Sequence, residues 1–133
     1  MNPEKMKKIL VLDEEKRLDY FVKKCAELGY VWGLRDAGGW CGMGTSENTE
    51  AIPFWPEEAF AVLLAEESWS DSSPTAIPLR EFMDNWLPDM ERDGILAAVF
   101  PVFDATPTGM SAIAVSGGRL RAMLLKECEQ YGG

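Results

Sequence analysis

There is no histidine among the 133 residues. Imidazole exchanges its proton nearest neutrality, so its absence removes Ser-His-Asp and Cys-His arrangements, His-ligated zinc and the commonest general base. Cysteine is scarce as well. Cys25, Cys41 and Cys128 are odd in number, widely spaced and form no Cys-x-x-Cys pair, which predicts free thiols in a reducing compartment and no disulfide scaffold. Long apolar runs are missing too: residues 95–103 form the longest and contain Pro101, well short of the ~20 residues of a spanning helix. Lys5, Lys7 and Lys8 precede the apolar residues 9–12 in the manner of a secretory leader. That core is shorter than the ~7–15 residues such a leader needs, and Asp13-Glu14-Glu15 stands where small residues should be. The expectation is a cytoplasmic protein without membrane contact.

Positive charge is the next shortage, with 13 Lys and Arg against 22 Asp and Glu for a net charge of −9. Residues 1–24 hold seven basic against five acidic side chains, whereas residues 25–133 hold six against seventeen. An acidic body repels phosphate backbones and disfavours nucleic acid. It serves solubility, or a basic protein partner.

What is present is the patterning of one α+β domain over residues 1–133, with 1–13 as an N-terminal extension and 14–130 as the core unit. Asp13 caps a helix with Glu14 and Glu15 in its first turn, Leu18, Phe21, Val22, Cys25 and Leu28 on one face, and Gly29 as its stop. Residues 6–12 suit an edge strand or an earlier helical turn. Residues 30–35 read as a strand ending in the turn signal Asp36-Ala37-Gly38-Gly39, and residues 51–55 as a second. Pro56 is expected to open a helix with Ala59, Phe60, Leu63 and Leu64 inward. Thr75-Ala76-Ile77 is a short strand. Pro78 opens a helix whose apolar positions Leu79, Phe82, Met83, Trp86, Leu87 and Met90 keep helical spacing, with a kink and tighter turns expected at Pro88 and Gly94 as its C-cap. Residues 95–103 predict a strand buried on both faces, residues 104–109 a turn, residues 111–115 a further strand, and Ser116 the cap of a last helix carrying Leu120, Met123, Leu124 and Cys128. A mostly antiparallel sheet of four to five strands with about four helices follows.

Motifs for chemistry fail on inspection. Cys41 lies in Gly38-Gly39-Trp40-Cys41-Gly42-Met43-Gly44, with Arg35 the one cation near in sequence to depress its pKa. The same glycines lack the lysine of a Walker loop before Thr45, and Glu47 stands where a dinucleotide fingerprint needs glycine. Asp89 to Gly94 starts like a calcium loop, but its twelfth position is Phe100 in place of a bidentate glutamate. Glu57-Glu58 and Glu66-Glu67 are neighbours that point to different sides of a helix. No catalytic residue, metal ligand or cofactor is assigned.

Five tryptophans remain. Trp32, Trp55 and Trp86 fall on elements and suit the core, whereas Trp40 and Trp69 fall in loops and suit contact with a partner. The candidate site is the rim after the first strand and before the second: Arg35, Asp36, Gly38, Gly39 and Trp40, with Trp32, Trp55 and Trp86 beside or beneath it. Arg35-Asp36 also has a plain reading as a strand-end charge and a turn-forming aspartate.

Three ordered motifs resemble the bacterial family called domain of unknown function 2750. They are residues 32–39 (Trp-Gly-Leu-Arg-Asp-Ala-Gly-Gly), residues 52–56 (Ile-Pro-Phe-Trp-Pro) with Ala59, and residues 82–94 followed by the apolar strand. Thr108-Gly109 adds weaker agreement, and the resemblance covers roughly residues 14–130. Members often end the apolar strand in Asn-Trp, where Phe100-Pro101-Val102 stands here. The resemblance implies a fold unit and no reaction. The order of elements is also similar to the N-terminal domain of SseB-like proteins, an analogy of architecture alone.

Two functions fit. The first is a non-enzymatic protein-binding or regulatory module. The alternative is a small enzyme using carboxylates and Arg35, with the Cys41 thiol as its nucleophile. A homodimer through a sheet edge or an apolar helix face is compatible with either.

Overall fold

The computed structural model describes residues 3–40, 42–44, 50–68, 71–103 and 110–129. The segment left open as strand or helix is helical: α1 spans Pro3–Leu10 and buries Ile9. Asp13 then accepts a hydrogen bond from the Lys16 amide at 2.9 Å and starts α2, Glu14–Leu28, which ends on Gly29 at φ 81°. Leu18, Phe21, Val22 and Cys25 are buried as their spacing requires, and Arg17 is buried with them.

The strands β1 (Tyr30–Asp36), β2 (Gly39–Trp40), β3 (Met43–Gly44), β4 (Glu50–Phe54), β5 (Ser73–Pro78), β6 (Leu96–Phe103) and β7 (Met110–Val115) form two sheets, in the orders β2-β1-β5 and β3-β4-β6-β7. The α+β architecture and its antiparallel character hold, with β4 and β6 the parallel exception. The strands expected to make one sheet are divided because, among the described residues, β1 and the chain just after β4 are joined by a single bridge, Trp32 with Trp55, whose amides and carbonyls exchange bonds of 2.8 and 2.9 Å. In an antiparallel ladder the next hydrogen-bonded pair along β1 is Leu34 with residue 53. Residue 53 is proline and has no N–H to give, so the ladder stops after one rung.

Trp55 holds the chain extended through its bridge, so the helix expected to open at Pro56 begins later, as α3 over Glu58–Ser68. The kink expected at Pro88 is also revised. Leu79–Glu81 (α4) runs into a π-helical turn, Phe82–Trp86, and then into α5, Leu87–Asp93. The irregularity lies one turn before the proline and widens the helix where tightening was expected. Proline cannot follow a regular α turn because its ring clashes with the carbonyl four residues back and its N–H is missing. Shifting Leu87 to bond the Phe82 carbonyl, five residues back, takes up the misfit. Gly94 closes α5 at φ 71°, and Ser116 caps α6, Gly117–Glu129, through the Arg119 amide.

β6 is the buried strand its composition predicts, with residues 97–102 all inaccessible between β4 and β7. Its pairing with β7 slips between Val99 and Val102. Phe100 sits in this bulge at φ 53°, the non-glycine left-handed residue among those described, a conformation that costs ~1–2 kcal/mol. The buried Arg17 guanidinium donates Nε to the Phe100 carbonyl at 3.2 Å and Nη1 to the Leu12 carbonyl at 2.6 Å, and Trp55 Nε1 donates to the Pro101 carbonyl at 3.0 Å. Two side chains from distant elements therefore hold the backbone oxygens that the bulge takes out of the ladder. The core runs through both sheets and includes Phe21, Leu34, Phe54, Trp55, Phe60, Phe82, Leu87, Phe100 and Leu120. No helix among the described residues is long and apolar enough to cross a membrane.

Candidate functional site

The turn signal after β1 folds as a tight hairpin. Asp36 accepts the Gly38 amide at 2.8 Å, and Gly39 takes φ 121°, a conformation that side chains disfavour. This sets Arg35 opposite Trp40 and Asp36 opposite Gly39. Paired residues share a face, so the Arg35 guanidinium lies over the Trp40 ring at 5.7 Å from its centroid.

Two residues before Arg35, on that same face, the chain has Gly33. A methyl group built there would stand 3.0 Å from the Trp40 ring, so the indole covers the space that the missing side chain leaves. Trp40 is therefore half-buried on a strand, and the free loop aromatic expected from the sequence is not found. It meets Trp86 edge to face, with centroids 4.7 Å apart and planes at 86°. Trp86 is also half-buried and closes the π-helical turn. Behind it lie the fully buried Phe54, 6.0 Å away, and Phe82, which packs 4.8 Å from Phe54. The aromatic stack thus runs from the core to the surface and ends in two indoles and a guanidinium.

Beyond Trp86 the surface dips into a cleft of about 210 Å³ lined by Asn85, Trp86, Asp89, Met90, Asp93 and Ile95. Arg92 pairs with both carboxylates at its rim, at 3.4 Å from Asp89 and 3.2 Å from Asp93, and these neighbours raise its pKa. A second cleft, of about 460 Å³, lies along α2 beside Tyr20. Of its three lysines, Lys16, Lys23 and Lys24, the last two are paired with Asp19 and Glu27 along the same helix.

The structure therefore gathers Arg35, Trp40 and Trp86 of the predicted site, with Asp36, Gly38 and Gly39 shaping the hairpin that presents them. It does not bring Trp55 to the rim, because that residue is wholly buried with its N–H committed to Pro101. Trp32 is half-buried and serves the bridge between the sheets. Cys41, Trp69 and the turn expected at 104–109 lie outside the described residues.

A second group went unread in the sequence. The Tyr20 hydroxyl donates to Glu57 Oε1, and its ring contacts Phe60 and Phe100. Burial, then the Glu57 carboxylate, raises its pKa above the ordinary phenol. Burial first and Glu57 second also push the Cys25 thiol well up. A protonated thiol is a poor nucleophile, so this group reads as packing. Cys128 is raised as well, by burial and then Glu127. Among the described residues no three Cys, Asp or Glu side chains converge as metal ligands.

A family model described as "Protein of unknown function (DUF2750)" matches residues 18–116. No curated protein matches the chain.

Proposed function

We propose, for a chain that belongs to the DUF2750 family, a protein-binding or regulatory role without catalysis, carried by the face where the β1–β2 hairpin crosses the π-helical turn. The observation behind this reading is the pair Trp40 and Trp86, two partly buried indoles in edge contact at 4.7 Å that keep some surface open to solvent and are backed by buried Phe54. Large aromatics held rigid at the surface, with arginine beside them, are the side chains that dominate binding energy at protein interfaces. Here rigidity has visible causes: Gly33 seats Trp40, and the π turn seats Trp86. The net charge of −9 favours a basic partner and disfavours nucleic acid. The setting is cytoplasmic.

The alternative, an enzyme using carboxylates, Arg35 and the Cys41 thiol, finds less support. Asp36 is exposed and its carboxylate shapes the turn, while Arg35 lies over an indole.

Capture from an extract of the native cell tests the reading, using wild type, Trp86→Ala, and Lys23→Ala, an exposed residue of α2 outside the site, as a control. A stoichiometric protein kept by wild type and Lys23→Ala but lost by a folded Trp86→Ala is the expected result. No bound protein, or the same proteins on all three, counts against it.

A further inference from the structure

The cleft beside Trp86 has a chemistry that selects its occupant. Its lining is apolar at Met90 and Ile95, carries the Trp86 indole, and holds two acids one turn apart on α5, Asp89 in its first turn and Asp93 at its electronegative end. At about 210 Å³ it is smaller than the roughly 300–1,000 Å³ pockets that take drug-sized ligands. It is the size of a side chain. An occupant that fits needs an apolar stem to lie along Met90 and Ile95, a flat cation to lie against an indole, and several N–H groups for two carboxylates. An arginine side chain has all three, whereas a lysine ammonium offers a point charge without the planar fork.

The two acids are spaced for one guanidinium, as a residue outside the cleft lining shows. Arg92 already spans the two acids with one guanidinium, Nε 3.2 Å from Asp93 and Nη1 3.4 Å from Asp89. Arg92 is 70% exposed, so it holds them from outside and a competing guanidinium can displace it. The larger cleft along α2 has no indole in its lining, and its acids Asp19 and Glu27 face ammonium groups in place of a planar guanidinium.

We infer that the cleft formed by Trp86, Met90, Ile95, Asp89 and Asp93 receives an arginine side chain of the partner protein, next to the Trp40–Trp86 contact. This rests on the interaction reading above and adds what the partner must present: a basic segment with an arginine projecting beside an apolar patch.

The test titrates acetyl-arginine amide into the full chain and follows the Trp86 indole N–H and the Met90 and Ile95 signals by NMR. Saturable shifts are expected with acetyl-arginine amide and none with acetyl-citrulline amide, which keeps the shape but not the charge. Asp89→Asn combined with Asp93→Asn should weaken binding about tenfold or more, through loss of charge-assisted bonds. Both sites are exposed, so the fold should survive, which an unchanged Tm verifies. Arg92→Gln should tighten binding by freeing the carboxylates. Equal shifts from citrulline amide, no saturation, or undiminished binding by the double variant would overturn the inference. Trp86-dependent partner capture together with a null titration sinks this inference alone. No capture by wild type sinks the reading beneath it, and with it the assignment of the guanidinium to a partner protein.

Discussion

Arg121 reaches from α6 to donate its Nε to the Met83 carbonyl, 2.9 Å away, inside the π-helical turn. Leu87 bonds Phe82, so the next bond of a π ladder would run from residue 88 to Met83, and residue 88 is proline. The Met83 oxygen is left without a helical donor, and a side chain from another helix supplies one. Arg121 also approaches Asp84 at 3.6 Å. The turn that seats Trp86 is thereby fixed from outside its own helix. Arg121→Ala should cost ~1–3 kcal/mol by stranding that oxygen. In a Pro88→Ala background the same substitution should cost less, because residue 88 can then donate. Urea unfolding of the four proteins in the cycle measures the coupling, and equal costs in both backgrounds would refute this account of the turn.

Gly117 is where α6 leans on α5. A methyl group at this position would stand 2.3 Å from the Leu87 carbonyl, a backbone atom that cannot swing away. Gly117→Ala is predicted to destabilise by roughly 1–3 kcal/mol or more through forced separation of the helices. Gly118→Ala, whose nearest neighbours are the end of the Glu91 side chain at 3.5 Å, should cost well under half of that. Thermal unfolding of the two variants ranks them.

Gly33→Ala probes the seat of Trp40. The new methyl group meets the indole at 3.0 Å and must push it outward from Trp86. A red shift in tryptophan emission and weaker partner capture are expected, with most of the stability kept because the displaced ring is only partly buried. An unchanged emission spectrum would show that the two rings do not depend on this gap.

The elements written in local signals were legible from the sequence. Asp13 and Gly29 bound α2, Gly94 closes α5, Ser116 caps α6, and the unbroken apolar run of residues 95–103 is the buried strand. Features that arise from the meeting of distant segments were not. The place of Trp40 depends on a gap left by a glycine seven residues earlier, and the end of the β1–β4 ladder on a proline facing Leu34 across it. Arg17 could have been found, since it stands four and eight residues before Phe21 and Cys25 on the buried face of α2. Its charge argued against burial until the Phe100 carbonyl gave it a purpose. The π turn was half visible: Pro88 announced an irregularity, but its direction depends on Leu87 bonding Phe82 and on a distant Arg121 meeting the Met83 oxygen, which local signals do not carry.

Alkaline pH should loosen the fold through Cys25. Its buried thiol stays protonated in the native state, with the pKa well above the ordinary value of 9.0. Below pH about 8.5 both folded and unfolded chains carry the proton, so the stabilisation is complete. Above it the unfolded chain sheds the proton while the folded one keeps it, and stability falls by up to ~1.4 kcal/mol per pH unit until the native thiol ionises. Tyr20, also raised, adds a loss of the same sign beginning near pH 10. Urea unfolding at pH 7.5, 8.5 and 9.5 should show wild type losing ~1 kcal/mol more than Cys25→Ala over the last step. Parallel decline of the two proteins would remove Cys25 as the cause.

Amide hydrogen exchange on the chain alone and with its captured partner reports most directly on the Trp40–Trp86 face. Slower exchange over residues 33–40 and 84–95, with residues 16–27 of α2 unchanged, is the predicted footprint. Protection confined to α2 or α6, leaving the hairpin and the π turn as they are in the free chain, would contradict it.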